Sequence, residues 1–296
     1  MAAVRYREYR PCTALRDSVR AVFTFAPTGP NDSPAPGMTR ELLFEAGDPF
    51  CSPLFAHSHA SLVFSFPRIC RADGVWRAGA ARPHANVIGP MTRVGPASLD
   101  ERTEMLGVYL RATGVAPIAR TPATSLTDRI VALDDLWGAS ATALAADLCG
   151  LDRDAARIWN LESALLDSMA CSPTPPANLD ISSLAALILR HRGRLNVQHL
   201  AEAAGVSRQH LTRAFRDAVG VTPKLYCRLA RFHASLRYAY HGSPVSWADA
   251  AIAMGYSDQS HMIAEFREFS GLTPPALALQ RTFHPFIETS VREPRA

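Results

Sequence analysis

The sequence predicts an α+β protein in two parts: a β-rich barrel or sandwich with added helices, followed by an all-α domain. Three observations carry this. Before residue 114, short β-prone pieces are separated by Gly and Pro, as in Gly47-Asp-Pro, Pro83, Gly89-Pro and Gly95-Pro, the punctuation of an antiparallel fold of short strands. A proline-rich stretch, Cys171-Ser-Pro-Thr-Pro-Pro-Ala-Asn-Leu-Asp180, then interrupts the chain. Beyond it a pattern occurs twice, each copy closing in Phe-Arg-x-x-x-Gly-x-Thr-Pro, at 215–223 and at 266–274. An internal repeat of this kind marks a duplicated structural unit. The resulting division is 1–170 for the first domain, 171–180 for the linker, 181–284 for the second domain and 285–296 for a disordered tail.

The first strand expected is Val19–Phe25, where apolar and polar residues partly alternate. Residues 26–37, with four prolines and two glycines, are a surface loop. Further strands are expected at Glu41–Phe44, Ser61–Phe66, Gly74–Trp76, Asn86–Ile88 and Met105–Leu110. From Gly114 the texture turns helical, at Val115–Ala119, Leu126–Ile130 and Ala141–Cys149. The clearest helix is Asp152–Ala170, where Ile158, Leu161, Leu165 and Met169 recur at spacings of three, four and four. That stripe has two readings, packing on its own domain or a seam that pairs two copies. The linker prolines stiffen it towards an extended form.

After a helix at 181–191, with Leu184, Leu187 and Ile188 inward, comes the stretch that organises the second domain. Asn196 caps a short helix with Val197, Leu200, Ala201 and Ala204 on one face. Gly205 supplies a tight reversal. Ser207 then caps a second helix with an apolar stripe of Leu211, Ala214, Phe215 and Ala218. Its opposite face carries Arg208, Gln209, Thr212, Arg213 and Arg216. Helix, Gly-centred turn and Ser-capped helix with a cationic, amide-bearing face is the helix-turn-helix layout, whose second helix lies in the major groove. Residues 247–269 repeat it: Trp247, Ala250, Ala251 and Met254, then Gly255, Tyr256 and Ser257, then Met262, Ile263, Phe266 and Phe269.

Charge placement agrees. Residues 1–179 hold 17 Arg against 18 Asp and Glu, a net of −1; residues 180–284 hold 12 Lys and Arg against 7 acids, a net of +5, with seven of the ten histidines. A near-neutral half joined to a basic half suits a sensing or pairing domain tethered to a polyanion binder. No apolar run approaches the ~20 residues of a membrane span, and the start lacks a secretion-signal pattern, so a cytoplasmic location is expected. The six cysteines have no zinc-site spacing and are expected to be separate thiols. His57 and His59, with His84, have the makings of a metal set, but no carboxylate lies near residues 60–66 to complete it. Nucleophile elbows, Walker loops and dinucleotide-binding glycine patterns are absent, so neither a catalytic site nor a cofactor is expected.

The doubled motif resembles the DNA-binding domain of the AraC/XylS family of transcription regulators, over roughly residues 180–282. The resemblance implies two helix-turn-helix units bridged by one long helix, about Pro223 to Tyr240, with double-stranded DNA as partner. Carried over by position, the base-facing residues are Gln209, Thr212 and Arg213 in the first unit. In the second they are Gln259, Ser260, Ile263 and Ala264. Ser207, Arg208, Arg216, Ser257 and Arg267 complete the expected DNA-binding set. Ala264 stands where the family often carries Arg, and Pro275-Ala-Leu-Ala replaces a terminal Pro-x-x-Tyr-Arg, which implies weaker base reading by the second unit. Residues 1–170 resemble, through Tyr9-Arg-Pro, Val87-Ile-Gly-Pro-Met-Thr and Leu133-Asp-Asp-Leu-Trp-Gly, the N-terminal domain of an AraC-type subgroup of unassigned ligand. That implies a cupin-like β-rich fold, a possible small-molecule effector, a homodimer paired through Ile158, Leu161, Leu165 and Met169, and RNA polymerase as a further partner. Two alternatives stay open: a first domain that only pairs copies, or a β-barrel enzyme with an appended DNA-binding module.

Overall fold

The computed structural model describes residues 4–27, 35–44, 55–70, 76–78, 82–95, 103–172, 179–241 and 246–279. The expected tail, most of the linker and most of the 26–37 loop lie outside the described residues. The chain forms two compact units. The first comprises Met1–Asp48, His59–Gly89 and Leu99–Ala177; the second comprises Pro49–Ser58, Pro90–Ser98 and Asn178–Ala296.

The first unit is built on one antiparallel sheet of eight strands: β1 (Val4–Tyr9), β2 (Val19–Pro27), β3 (Met38–Phe44), β4 (Ser61–Cys70), β5 (Trp76–Ala78), β6 (His84–Ile88), β7 (Thr103–Leu110) and β8 (Ile130–Ala132). Their order is β3-β1-β2-β7-β4-β6-β8, with β5 beside β4. Because strand residues alternate sides, Tyr9, Val22, Leu62, Phe64, Phe66, Val87, Leu106 and Val108 share one face. They form a single core with the helices on that side: α1 (Val115–Ala119), α2 (Asp134–Trp137), α3 (Ala139–Gly150) and α4 (Asp154–Ala170). At the start of α4, Asp154 accepts a 2.6 Å hydrogen bond from the Tyr9 hydroxyl and lies 3.7 Å from Arg7. Burial, and after it the carboxylate of Asp154, push the Tyr9 hydroxyl up to about 12. Arg157 of α4 pairs with Glu104 of β7, so charged links as well as apolar contact hold α4 to the sheet.

Two expectations are corrected here. Leu126–Ile130 is not a helix: a 3-10 turn at Ala123–Ser125 precedes it, and Ile130 begins β8, paired to β6 through Ile88↔Ile130. The β-branched pair Ile130-Val131 suits that edge better than a helix. More consequentially, the α4 stripe is interior. Leu161 and Leu165 are fully buried, and Ile158 and Met169 are partly buried against the same core. The face expected to pair two copies therefore packs on its own sheet, since only that side of α4 is apolar enough to cover it.

The second unit is helical: α5 (Ile181–Arg190), α6 (Val197–Ala203), α7 (Arg208–Val219), α8 (Pro223–His241), α9 (Trp247–Met254), α10 (Gln259–Ser270) and α11 (Pro274–Leu279). In α5 the buried side is Ile181, Ala185 and Ile188, with Leu184 and Leu187 half-buried at its margins. The unit also includes two pieces from early in the chain, and Phe55 and Ala56 are buried in its core. No described helix is long and apolar enough to cross a membrane.

Candidate nucleic-acid interface

Two helix pairs, α6–α7 and α9–α10, flank α8. In the first, Asn196 caps α6 by accepting from the Gln198 amide at 2.8 Å. Gly205, at φ +67°, turns the chain, and the Val206 amide donates back to the Ala201 carbonyl at 3.0 Å, closing the helix end in the left-handed manner. The Ser207 hydroxyl then accepts from the His210 amide at 3.1 Å and starts α7. On the inner side of α7, Leu211, Phe215 and Val219 are fully buried, and Phe215 meets Tyr226 of α8 edge-on, 5.3 Å between centroids. Gly220, at φ +90°, ends the helix by donating to the Arg216 carbonyl at 2.8 Å.

This locking leaves the other side of α7 in solvent. Arg208, Gln209, Arg213 and Arg216 are exposed, and Gln209, Arg213 and Arg216 align at helical spacing. Thr212 lies between them, half-buried, its hydroxyl donating to the Arg208 carbonyl at 2.8 Å. In that position its oxygen, rather than its proton, is left for an outside partner.

The second pair follows the same plan with one extra turn residue. Gly255 (φ +85°) takes the place of Gly205, and the Tyr256 amide donates to the Ala251 carbonyl at 2.9 Å. The cap of α10 is Asp258, whose Oδ1 accepts from the His261 amide at 2.8 Å. Ser257 supports it from outside the helix, its hydroxyl 3.1 Å from Asp258 Oδ2 and 3.0 Å from His261 Nδ1. Those contacts, the His261 amide foremost, hold the Asp258 carboxyl below the usual carboxylate range. Gln259, Ser260, Ala264 and Arg267 are exposed and Ile263 is half-buried. The expected residues thus form two separate outer faces, one on α7 and one on α10. The first is cationic, whereas the second offers a single expected cation, Arg267, behind an anionic cap.

Several functional features escape a reading of the sequence. Glu265, on the inner side of α10, is only 2% exposed. It accepts from Arg228 at 2.8 Å and Arg231 at 3.0 Å, both on α8, and lies 3.7 Å from His261. Glu268 adds a 2.6 Å link to Arg228. Arg228 also covers the Phe269 ring and Arg231 the Tyr256 ring, each at 4.8 Å. Both arginines have the charge of phosphate contacts, but their guanidinium groups are engaged in tying α10 to α8. The available signal was a carboxylate interrupting the apolar series Met262, Phe266 and Phe269. His57 and His59 fall in different units; the His59 ring packs edge-on to Tyr109 at 5.9 Å.

Comparison with known proteins bears directly on this geometry. Residues 200–280 match a family described as a helix-turn-helix domain. The second unit therefore carries a helix-turn-helix domain. Residues 7–132 match a family described as a domain of unknown function. An uncharacterized HTH-type transcriptional regulator of Bacillus subtilis (strain 168), YbfI, is 32% identical over 92 residues, which are 31% of this chain and 33% of that protein. The chain therefore spans about a third of the length of that curated relative. Among solved structures, the C-terminal domain of AraT, a response regulator from Geobacillus stearothermophilus, aligns over 37% of this chain and 93% of its own, at 18% identity and a TM-score of 0.33. ToxT from Vibrio cholerae aligns over 79% of this chain and 95% of its own, at 11% identity and a TM-score of 0.41. The matched helix-turn-helix segment contains all of α7 and α10, and so both outer faces.

Proposed function

We propose that the protein is a sequence-specific DNA-binding transcription regulator whose base reading is concentrated in α7. The observation that carries this is the α7 surface: an amide and three guanidinium groups, exposed on a helix buried on its other side and capped at both ends. In this reading Gln209, Thr212 and Arg213 face base edges, with Arg213 suited to a bidentate contact to guanine. Arg208 and Arg216 take phosphates, and the α7 N-terminus set by Ser207 adds backbone donors of favourable dipole. On α10, Gln259 and Ser260 offer weaker polar contacts, Ile263 and Ala264 sense thymine methyl groups, and Arg267 takes a phosphate, with Ser257 beside the cap. The test is selection of duplexes from a random pool by the full chain, followed by retardation on the selected and scrambled sequences. Equal retention of both would remove sequence-specific recognition.

The N-terminal unit is read as the controlling half, with no catalytic role. The sheet face opposite the helices holds Tyr6, Glu8, Ser61 and Tyr109, all buried. The Tyr6 hydroxyl donates to Glu8 at 2.6 Å, and its oxygen stands 3.2 Å from that of Tyr109. This buried polar set, with the Arg20 guanidinium over the Tyr109 ring at 5.8 Å, supports a small-molecule effector there. The homodimer reading moves to the outer side of α4, where Trp159 is 67% and Leu166 36% exposed, with Ala155 and Ala170 on the same side. RNA polymerase is the proposed partner at the regulated promoter. Trp159→Glu is expected to give a folded monomer in sedimentation; an unchanged dimer would remove that face from the account.

A further inference from the structure

The core of the second helix pair is completed by residues that lie far from it in sequence. Phe55 is 4% exposed and Ala56 fully buried, in one cluster with Leu229, Phe232 and Leu236 of α8, Met262, Phe266 and Phe269 of α10, and Leu277 of α11. Their backbone is engaged as well. The Ala56 amide donates to the Phe269 carbonyl at 2.9 Å, one of the last carbonyls of α10, which have no partner within the helix. The Ala56 carbonyl lies 2.9 Å from His233 Nε2 of α8, which donates to it. A single peptide segment thus bridges α8 and α10. Behind it, His57 and Met91 exchange two backbone hydrogen bonds, of 2.8 and 2.9 Å. A Cβ placed on Gly271, the residue that closes α10, would lie 3.9 Å from Val94.

The cluster that holds Phe55 and Ala56 includes no residue of the first helix pair, whose buried side chains are Leu200, Ala201, Leu211, Phe215 and Val219. The two pairs therefore differ in what completes them. Both early segments are also joined directly to the sheet: the chain enters β4 at Ser61 soon after His57, and leaves β6 at Ile88 just before Met91. β4 and β6 are neighbours, paired through Ser61↔Ile88.

We propose that Phe55–His57, backed by Met91, is a conformational clip through which the controlling half of the chain sets the seating of α10, and with it the DNA hold of the second helix pair only. This rests on the regulator reading for its consequence, although the clip itself does not. Seated, it fills the α8–α10 cleft and satisfies the end of α10. Drawn out by a change in β4 or β6, it leaves Phe232, Phe266 and Phe269 short of a partner and frees α10, while α7 keeps its geometry.

Hydrogen exchange followed by mass spectrometry on the full chain tests this. Phe55→Ala is expected to speed exchange in α9 and α10 by at least about tenfold, leaving α6 and α7 at wild-type rates, because the loss opens one local unit. Phe55→Leu, which refills most of the volume, should restore protection. Ala56→Pro, which removes the amide that Phe269 accepts but keeps the Phe55 ring, should reproduce the local pattern, and it serves if Phe55→Ala does not fold. On duplex DNA the same variants should shorten the protected footprint from the α10 side alone. Unchanged protection of α9 and α10, or equal loosening of α6 and α7, would overturn the clip. Wild-type protein that gives the expected exchange pattern but does not retain duplex DNA would instead overturn the regulator reading and leave the clip as a structural joint.

Discussion

The two helix-turn-helix pairs share a plan and differ in what surrounds it. The first is completed by residues near it in sequence: its caps are Asn196 and Ser207, its core is Leu211, Phe215 and Val219 against Tyr226 of α8, and its outer face is cationic. The second is tied inward by the buried Glu265 and its two arginines, begins its outer helix on an acid, and takes Phe55 and Ala56 into its core. One pair is organised around what it presents to solvent, the other around what holds it to the rest of the chain. Duplication of a fold thus need not duplicate a function. In the proposed reading the first pair is the reader, and the second is a docking pair whose position is set from elsewhere.

The largest effect that would sharpen this contrast is on stability. Glu265→Gln keeps the shape but removes the charge that Arg228 and Arg231 share. It is expected to cost about 1.5–3 kcal/mol in denaturant unfolding, the range for hydrogen bonds to charged groups. No loss would mean that α10 is held by its apolar side alone, and the second pair would be no more tied than the first. Next in size, Arg213→Ala should cost roughly 1–3 kcal/mol on a selected duplex and far less on scrambled DNA, read from binding titrations. Ser207→Ala should lower stability by about 0.5–2 kcal/mol through loss of the α7 cap, measured by thermal unfolding. The smallest expected change is for Arg267→Ala. It should weaken selected and scrambled duplexes alike and flatten the salt dependence by about one phosphate contact. A sequence-dependent loss there would give the second pair a reading role it is not assigned.

How much of this was legible beforehand follows the range of the interactions. The helix pairs, their glycine turns and the exposed series Gln209, Thr212 and Arg213 are local patterns, readable within a few residues. Asp258 was also within local reach, because the extra turn residue moves the cap from Ser257 to the next position. The α4 stripe was legible as a stripe but not in its destination, since a helix does not record whether its apolar side meets a sheet or a second copy; the sheet settled that for Leu161 and Leu165. Strand β1 went unread because the buried Arg5, Arg7 and Glu8 hide its alternation, Arg7 being paired with the exposed Glu41 at 2.7 Å. Phe55 and Ala56 had no local signal, as their partners lie beyond residue 228 and only the folded chain brings them together.

The central claim, that base reading belongs to α7 and not equally to α10, is tested most directly by the sequences the full chain selects from a random duplex pool. The account predicts one strongly specified segment that Arg213→Ala relaxes, adjoining a segment about one helical turn away with at most a preference for thymine. Two segments of equal information, with the second unaffected by Arg213→Ala and erased by changes at Gln259 and Ser260, would contradict it.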